Sequence, residues 1–179
     1  MSSIKKVYSI ITNIIYLYIM NRLTKNVLKF SFPKIESGLD INLYHNAKLD
    51  LGNISARKNL NIFVSNGTLL FGTGCFINNN CSFNCLEGIF IGDNTIFGEG
   101  VKVYDHDHLI DCEYNVSKDK FVTSSIHIGG GCWIGSNTII LKGVTIVDNV
   151  IVGANSIVNK SIVTPGVYVN KNGSLVKIR

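Results

Sequence analysis

The chain predicts an all-β fold, a parallel β-helix coiled as a three-walled prism, and three observations predict it. Ile128, Ile134, Ile140, Ile146, Val152 and Val158 recur at a strict interval of six residues. An α-helix turns every 3.6 residues and a strand alternates every two, so neither produces that period. A hexapeptide period marks short strands that each form one wall of a coil. Glycine, at 17 of 179 residues, exceeds its ordinary share of about 7%, and only two prolines occur, as repeated tight corners would require. Finally, the period is lost over about 22 residues between Val103 and Ile128 and then resumes. A break that long inside a regular solenoid is a functional or a disordered loop.

Taken in order, residues 1–30 form a separate extension. Val7 to Met20 reads VYSIITNIIYLYIM between Lys5, Lys6 and Arg22. Fourteen apolar-rich residues fall short of the roughly 20 needed to span a bilayer, and no small-residue cleavage site follows them. Two readings stand side by side: a helix packed on the core or on a neighbouring subunit, and a basic amphipathic helix in peripheral contact with a membrane. Residues 31–166 form the β-helix domain. Its first coils are ragged, with Ile41, Leu43, Leu49, Leu51, Ile54, Leu60, Ile62 and Val64 as short-strand positions and Gly52 and Asn66-Gly67 as turns. The period becomes clear at Phe71, Ile77 and Phe83. A two-residue insertion at Leu86-Glu87-Gly88 shifts it, and it resumes at Ile91, Phe97 and Val103. Residues 104–125 are the loop, residues 126–158 the regular coils, and Pro165-Gly166 the end of the repeat. Residues 167–179 make a basic tail. Such a prism buries aliphatic side chains by stacking coils, and its open edges need caps.

The formal net charge is +5, spread over small groups at Lys5/Lys6, Lys25/Lys29 and Lys177/Arg179. Scattered charge of this kind suits an anionic ligand or a membrane surface and excludes a nucleic-acid partner, which would need a continuous stripe. Five cysteines, an odd number, with no cleavable signal point to the reducing cytoplasm, with membrane association left open. Cys75, Cys81 and Cys132 each lie four residues after a repeat residue (Phe71, Ile77, Ile128). Thr95, Val101, Thr138, Val144, Val150 and Ser156 fill the same small-residue slot, which makes these cysteines core residues and not metal ligands.

The hexads read IGGGCW, IGSNTI, ILKGVT, IVDNVI and VGANSI. Over residues 70–165 this resembles the hexapeptide-repeat acyltransferases, and within them the maltose/galactoside, polysaccharide-modifying and xenobiotic acetyltransferases. The resemblance implies a left-handed parallel β-helix, acetyl-coenzyme A as acyl donor, a homotrimer with sites between prisms, and a sugar or glycan acceptor. It places the catalytic base at His108, after the segment IGDNTIFGEGVKVYDHDH. It places acceptor contacts at Asn78 and Asn80, in FINNNC. Trp133-Ile134-Gly135-Ser136 matches the family's W-I-G-S segment, in which the Ser136 amide faces the thioester. Ala154 would contact the pantetheine arm, and Asn159-Lys160 would lie toward the adenine. The family's closing proline-containing motif is absent from NKNGSLVKIR, so Lys177 and Arg179, with Lys142, are only general candidates for the phosphates.

Transfer of an acetyl group to a hydroxyl requires a base, an oxyanion donor, a held thioester and an acceptor pocket. Histidine is the natural base near neutrality. Asp105, Asp107 and Asp111 surround His108 in sequence, and either a carboxylate or a backbone carbonyl on its second ring nitrogen would fix the tautomer. Asp107 and Trp133 are assigned to the acceptor side. In a strand His106 and His108 point the same way, so the period alone does not choose between them. Four other readings share these residues: N-acetylation of an amino sugar, a xenobiotic acetyltransferase, a zinc hydro-lyase using His106, His108 and His127, and a binding scaffold without activity.

Overall fold

The computed structural model describes residues 3–179. It is a left-handed parallel β-helix of about six turns, preceded by one helix, α1 (Ser3–Leu23). Three parallel sheets form the walls. The first wall runs through Val27–Lys29, Lys48–Asp50, Thr68–Phe71, Gly88–Ile91, Ile126–Ile128 and Thr145–Ile146. The second includes Phe76–Ile77, Ile96–Phe97, Trp133–Ile134 and Val150–Val152, and the third Asp40–Tyr44, Asn61–Ser65, Ser82–Cys85, Lys102–Tyr104, Ile139–Ile140 and Ile157–Val158.

Inward residues stack from coil to coil. Leu28, Leu49, Leu69, Ile89 and Ile126 are successive register partners on the first wall, and all are buried. At the middle of the prism Phe71 and Phe97 both pack edge-on to Phe83, at 5.0 and 5.2 Å between ring centroids. The late coils keep the 18-residue spacing, as in Trp133 beside Ile151. The early ones are longer: Lys48 pairs with Thr68, and Thr68 with Gly88. The additional residues lengthen the third wall, whose early strands have four or five residues where Ile139–Ile140 has two. The shift at residues 86–88 is therefore one instance of a feature shared by the early coils.

The small-residue slot has a polar use as well as a steric one. Cys75 and Cys81 donate their thiols to the carbonyls of Gly92 (3.3 Å) and Gly98 (3.1 Å) on the next coil, and Thr95 donates to Gly129 in the same way (2.8 Å). Burial pushes the Cys81 thiol up to about 11, so it stays protonated and donates. The corners between the second and third walls place Asn59, Asn80, Asn137 and Asn155 in the left-handed backbone region, which asparagine tolerates better than other residues with a β-carbon.

Both ends of the prism are covered. Leu17 of α1 is fully buried against the first coil, and Asn13 donates its side-chain amide to the backbone carbonyls of Ile35 (2.9 Å) and Glu36, occupying an edge that would otherwise be bare. The first strand, Val27–Lys29, begins before the expected boundary at 31. At the other end the repeat does not stop at Pro165: Gly166–Lys171 pairs parallel with Val150–Val152 and then antiparallel with Ser174–Lys177. The turn is Asn172-Gly173, both at positive φ, a pair well suited to a two-residue hairpin. The basic tail is a hairpin cap.

Candidate functional site

The break in the period is an antiparallel arm, His106–Ile110 with Val116–Thr123, that leaves the corner between the third and first walls. Its root is Asp105, which is fully buried. One carboxylate accepts the N–H groups of Leu86, Glu87 and Gly88, each at 2.8 Å, and lies 3.0 Å from His106 Nδ1. Burial pushes the Asp105 carboxyl up, but the hydrogen bonds from His106 and the three amides together outweigh it and hold it below the ordinary carboxylate value. The arm closes on the same residue, since Ser124 N–H donates to the Asp105 carbonyl at 2.9 Å.

His106 pairs with Thr123 and His108 with Phe121, so both imidazoles lie on one face of the arm, with Phe121 packed against each at 5.3 and 4.7 Å. Asp107 projects from the opposite face and pairs with Lys142. His108 is exposed, and its Nδ1 lies 2.8 Å from the Ser117 carbonyl. A carbonyl can only accept, so this contact places the proton of a neutral His108 on Nδ1 and leaves the Nε2 lone pair free to take a proton. The partner on the second ring nitrogen is thus a carbonyl and not one of the neighbouring carboxylates. Asp111 instead ties the arm's own turn, accepting from the amides of Glu113 and Asn115.

Ser136 and Ala154 occupy equivalent corners, 18 residues apart, between the second and third walls. Among the described residues neither backbone N–H has a hydrogen-bond acceptor. Glycines underlie both positions. A β-carbon on Gly98 would sit 2.5 Å from Ser136 N, and one on Gly135 would sit 2.5 Å from Ala154 N. Asn78 and Asn80 lie on the same edge two coils earlier. Asn78 Oδ1 accepts from the Asn79 amide, and Asn80 is linked to Asn59 at 2.8 Å within the corner ladder. A polar cavity of about 500 Å³ adjoins them, lined by Arg57, Lys58, Asn59, Asn79 and Asn80 together with Lys6 and Glu36.

No protein-family model matches the chain. The galactoside O-acetyltransferase of Lactococcus lactis subsp. lactis is 30% identical over 92 residues, covering 51% of this chain and 44% of that protein. The galactoside O-acetyltransferase of Escherichia coli is 38% identical over 74 residues, covering 41% of this chain and 36% of the relative. The chain thus matches less than half the length of these two relatives. A hexapeptide-repeat acetyltransferase of Vibrio cholerae, solved in complex with acetyl-coenzyme A, has the same fold. Its TM-score is 0.59 at 19% identity, over 93% of this chain and 76% of that one. Over its repeat segment the chain is similar to these acetyltransferases, and it shares the fold of the hexapeptide-repeat protein.

The other residues singled out from sequence fall in three places. Asn159 and Lys160 lie at a corner between the third and first walls, the edge that carries the arm, and line a cavity of about 440 Å³ with Tyr168 and Leu175 of the hairpin cap. Lys177 is exposed on that hairpin. Trp133, 53% exposed, belongs to an outward column on the second wall formed by Phe76, Ile96, Trp133, Ile151 and Val167. Within one chain, then, the arm with Asn159 and Lys160 stands on one edge, and Asn78, Ser136 and Ala154 on another, with the third wall between them. Sequence reasoning missed Asp105 as the arm's root. Its signal was the insertion at residues 86–88, a turn with three consecutive amides in need of an acceptor.

Proposed function

We propose that the chain is an acetyl-coenzyme A-dependent O-acetyltransferase acting on a hydroxyl of a sugar or polysaccharide precursor in the cytoplasm, and that it works as a homotrimer. The observation that carries this reading is the imidazole of His108, held by the Ser117 carbonyl with Nε2 open on an exposed arm. Nε2 takes the proton from the acceptor hydroxyl as its oxygen attacks the thioester carbonyl carbon. The resulting oxyanion accepts a hydrogen bond from the Ser136 N–H, a type of contact whose loss costs about 2.7–4 kcal/mol in other acyl-transfer enzymes. The C–S bond breaks as the intermediate collapses, and the leaving thiolate recovers the proton from His108.

The two halves of this site stand on different edges of one prism. A second copy must therefore bring its Ser136–Ala154 edge to the arm, which is the reason for proposing the trimer. The apolar column around Trp133 supplies a surface for that contact. Asn159, Lys160 and Lys177 then hold the adenosine end of the donor, and Asn78, Asn80, Asp107 and Trp133 border the acceptor.

The Asp105–His106 contact supports a second reading, in which His106 is the base. Release of free thiol from acetyl-coenzyme A, followed across a panel of sugars, nucleotide sugars and amino sugars, separates these possibilities. His108→Ala is expected to lower the rate at least about a hundredfold while leaving the fold and oligomer intact. Near-normal turnover in that variant, with loss in His106→Ala, would move the role to His106. A preference for amino sugars acetylated at nitrogen would replace the O-acetyl reading.

A further inference from the structure

Helix α1 has an apolar face that neither the core nor the proposed reaction uses. At 100° per residue its side chains divide into three sectors. Asn13, Leu17 and Met20 face the first coil. Ile4, Val7, Tyr8, Ile11, Ile15, Tyr18 and Ile19 form a contiguous arc on another side, and every one of them is more than half exposed. Lys5 and Thr12 run along one border of that arc, and Arg22 closes it at the C-terminal end, one turn beyond Tyr18, all three exposed. A surface helix of a soluble domain normally has one apolar sector and a polar remainder; this one has two.

Two further observations belong to the same end of the prism. Phe32, in the first coil, is 75% exposed and has φ of 49°, a conformation unusual for a bulky side chain. The charge of the chain is also concentrated there. Residues 1–58 hold nine Lys and Arg against three Asp and Glu, whereas residues 59–179 hold eight against nine. The whole net positive charge thus belongs to the helix and the first coils, where Lys5, Arg22, Lys25, Lys29 and Lys34 are all exposed.

We infer that the helix end of the prism docks on an anionic lipid bilayer, with α1 lying in the interface, its free arc and Phe32 inserted among the acyl chains, and the lysines and Arg22 against the headgroups. No helix among the described residues is long and apolar enough to cross a membrane, so the contact lies on the bilayer and does not span it. Charge selects lipid over a second copy of this chain as the occupant. A copy would bring the same positive rim against this one, whereas anionic headgroups complement it. The column around Trp133 is a separate surface, so subunit contact does not require this face. The inference is independent of the acyl-transfer reading and survives its failure.

The test uses the full chain and sedimentation with vesicles of phosphatidylcholine, either alone or with about 30% phosphatidylglycerol. Binding to the anionic vesicles is expected to exceed binding to neutral ones at least tenfold and to weaken as salt is raised. The pair Ile11→Asp and Ile15→Asp together should lower binding at least tenfold, with the melting temperature and the light-scattering mass unchanged. Phe32→Gly guards against a folding artefact: it relieves the strained backbone, so the protein should melt no lower and yet bind several-fold more weakly. Equal binding of wild type and the Ile11/Ile15 variant, or no preference for anionic vesicles, would overturn the proposal. A loss of oligomer mass in the Ile11/Ile15 variant would also overturn it, assigning the face to a second copy.

Discussion

Replacing Asp105 by asparagine tests whether one buried carboxylate holds the arm in place. The wild-type side chain accepts three backbone N–H groups at 2.8 Å and faces His106 Nδ1 at 3.0 Å. Asparagine keeps one oxygen and puts an NH₂ where the other oxygen stood, so donors meet donors. Its oxygen can still serve about two of the four, leaving two donors without an acceptor at a site closed to water. Each buried unsatisfied donor costs about 1–3 kcal/mol, which gives a loss of about 2–6 kcal/mol, a large share of an ordinary domain's stability. The assay is urea unfolding at neutral pH and fixed protein concentration, with hydrogen exchange read at Leu86, Glu87 and Gly88. Those three amides should exchange faster than in wild type, while those of the distant Ile151 and Val152 should not. On the proposed function, turnover should fall and the KM for acetyl-coenzyme A should stay nearly constant, since Ser136 and Ala154 lie on another edge. A loss below about 1 kcal/mol with unchanged exchange at residues 86–88 would refute the argument.

Three further outcomes follow from the structure. Because the folded Asp105 carboxyl is held below its ordinary value, its contribution is complete above the unfolded aspartate value of about 3.9 and is lost as pH falls through the lower folded value. The stability gap between wild type and Asp105→Asn should therefore narrow below about pH 4, and a gap independent of pH would contradict the assignment. In Gly98→Ala the new methyl would lie 2.5 Å from Ser136 N and 2.9 Å from Ser136 Cα, both backbone atoms that cannot swing aside. The melting temperature and the affinity for acetyl-coenzyme A should both fall, as measured by thermal scan and by titration. Gly173→Ala, with nothing within 4 Å, should cost only the backbone strain of its positive φ, about 1 kcal/mol.

The prism was legible because its cause is periodic. Side chains that share a core must recur at the spacing of the walls, so Ile128 through Val158 report both the architecture and the location of the break. The slot held by Cys75, Cys81 and Cys132 was legible for the same reason. The hairpin at Gly166–Lys171 and Ser174–Lys177 was also present in the sequence, in Asn172-Gly173, but a short polar turn is outweighed by a nearby proline when the pattern is read residue by residue. The arm could be located but not shaped: its two strands follow no repeat, and their pairing is set by each other.

The sequence by itself determined which residues point inward, where the coiling pauses, and which residue types near the pause can accept a proton, since all three depend on spacing along the chain. Tertiary structure decided the rest. It put the Ser117 carbonyl on His108 Nδ1 and the amides of residues 86–88 on Asp105, and it set the arm and the Ser136–Ala154 corners on separate edges of one prism. Those relations join groups distant in sequence or arise from coil stacking, and a hydrogen bond between such groups leaves no period for the chain to display.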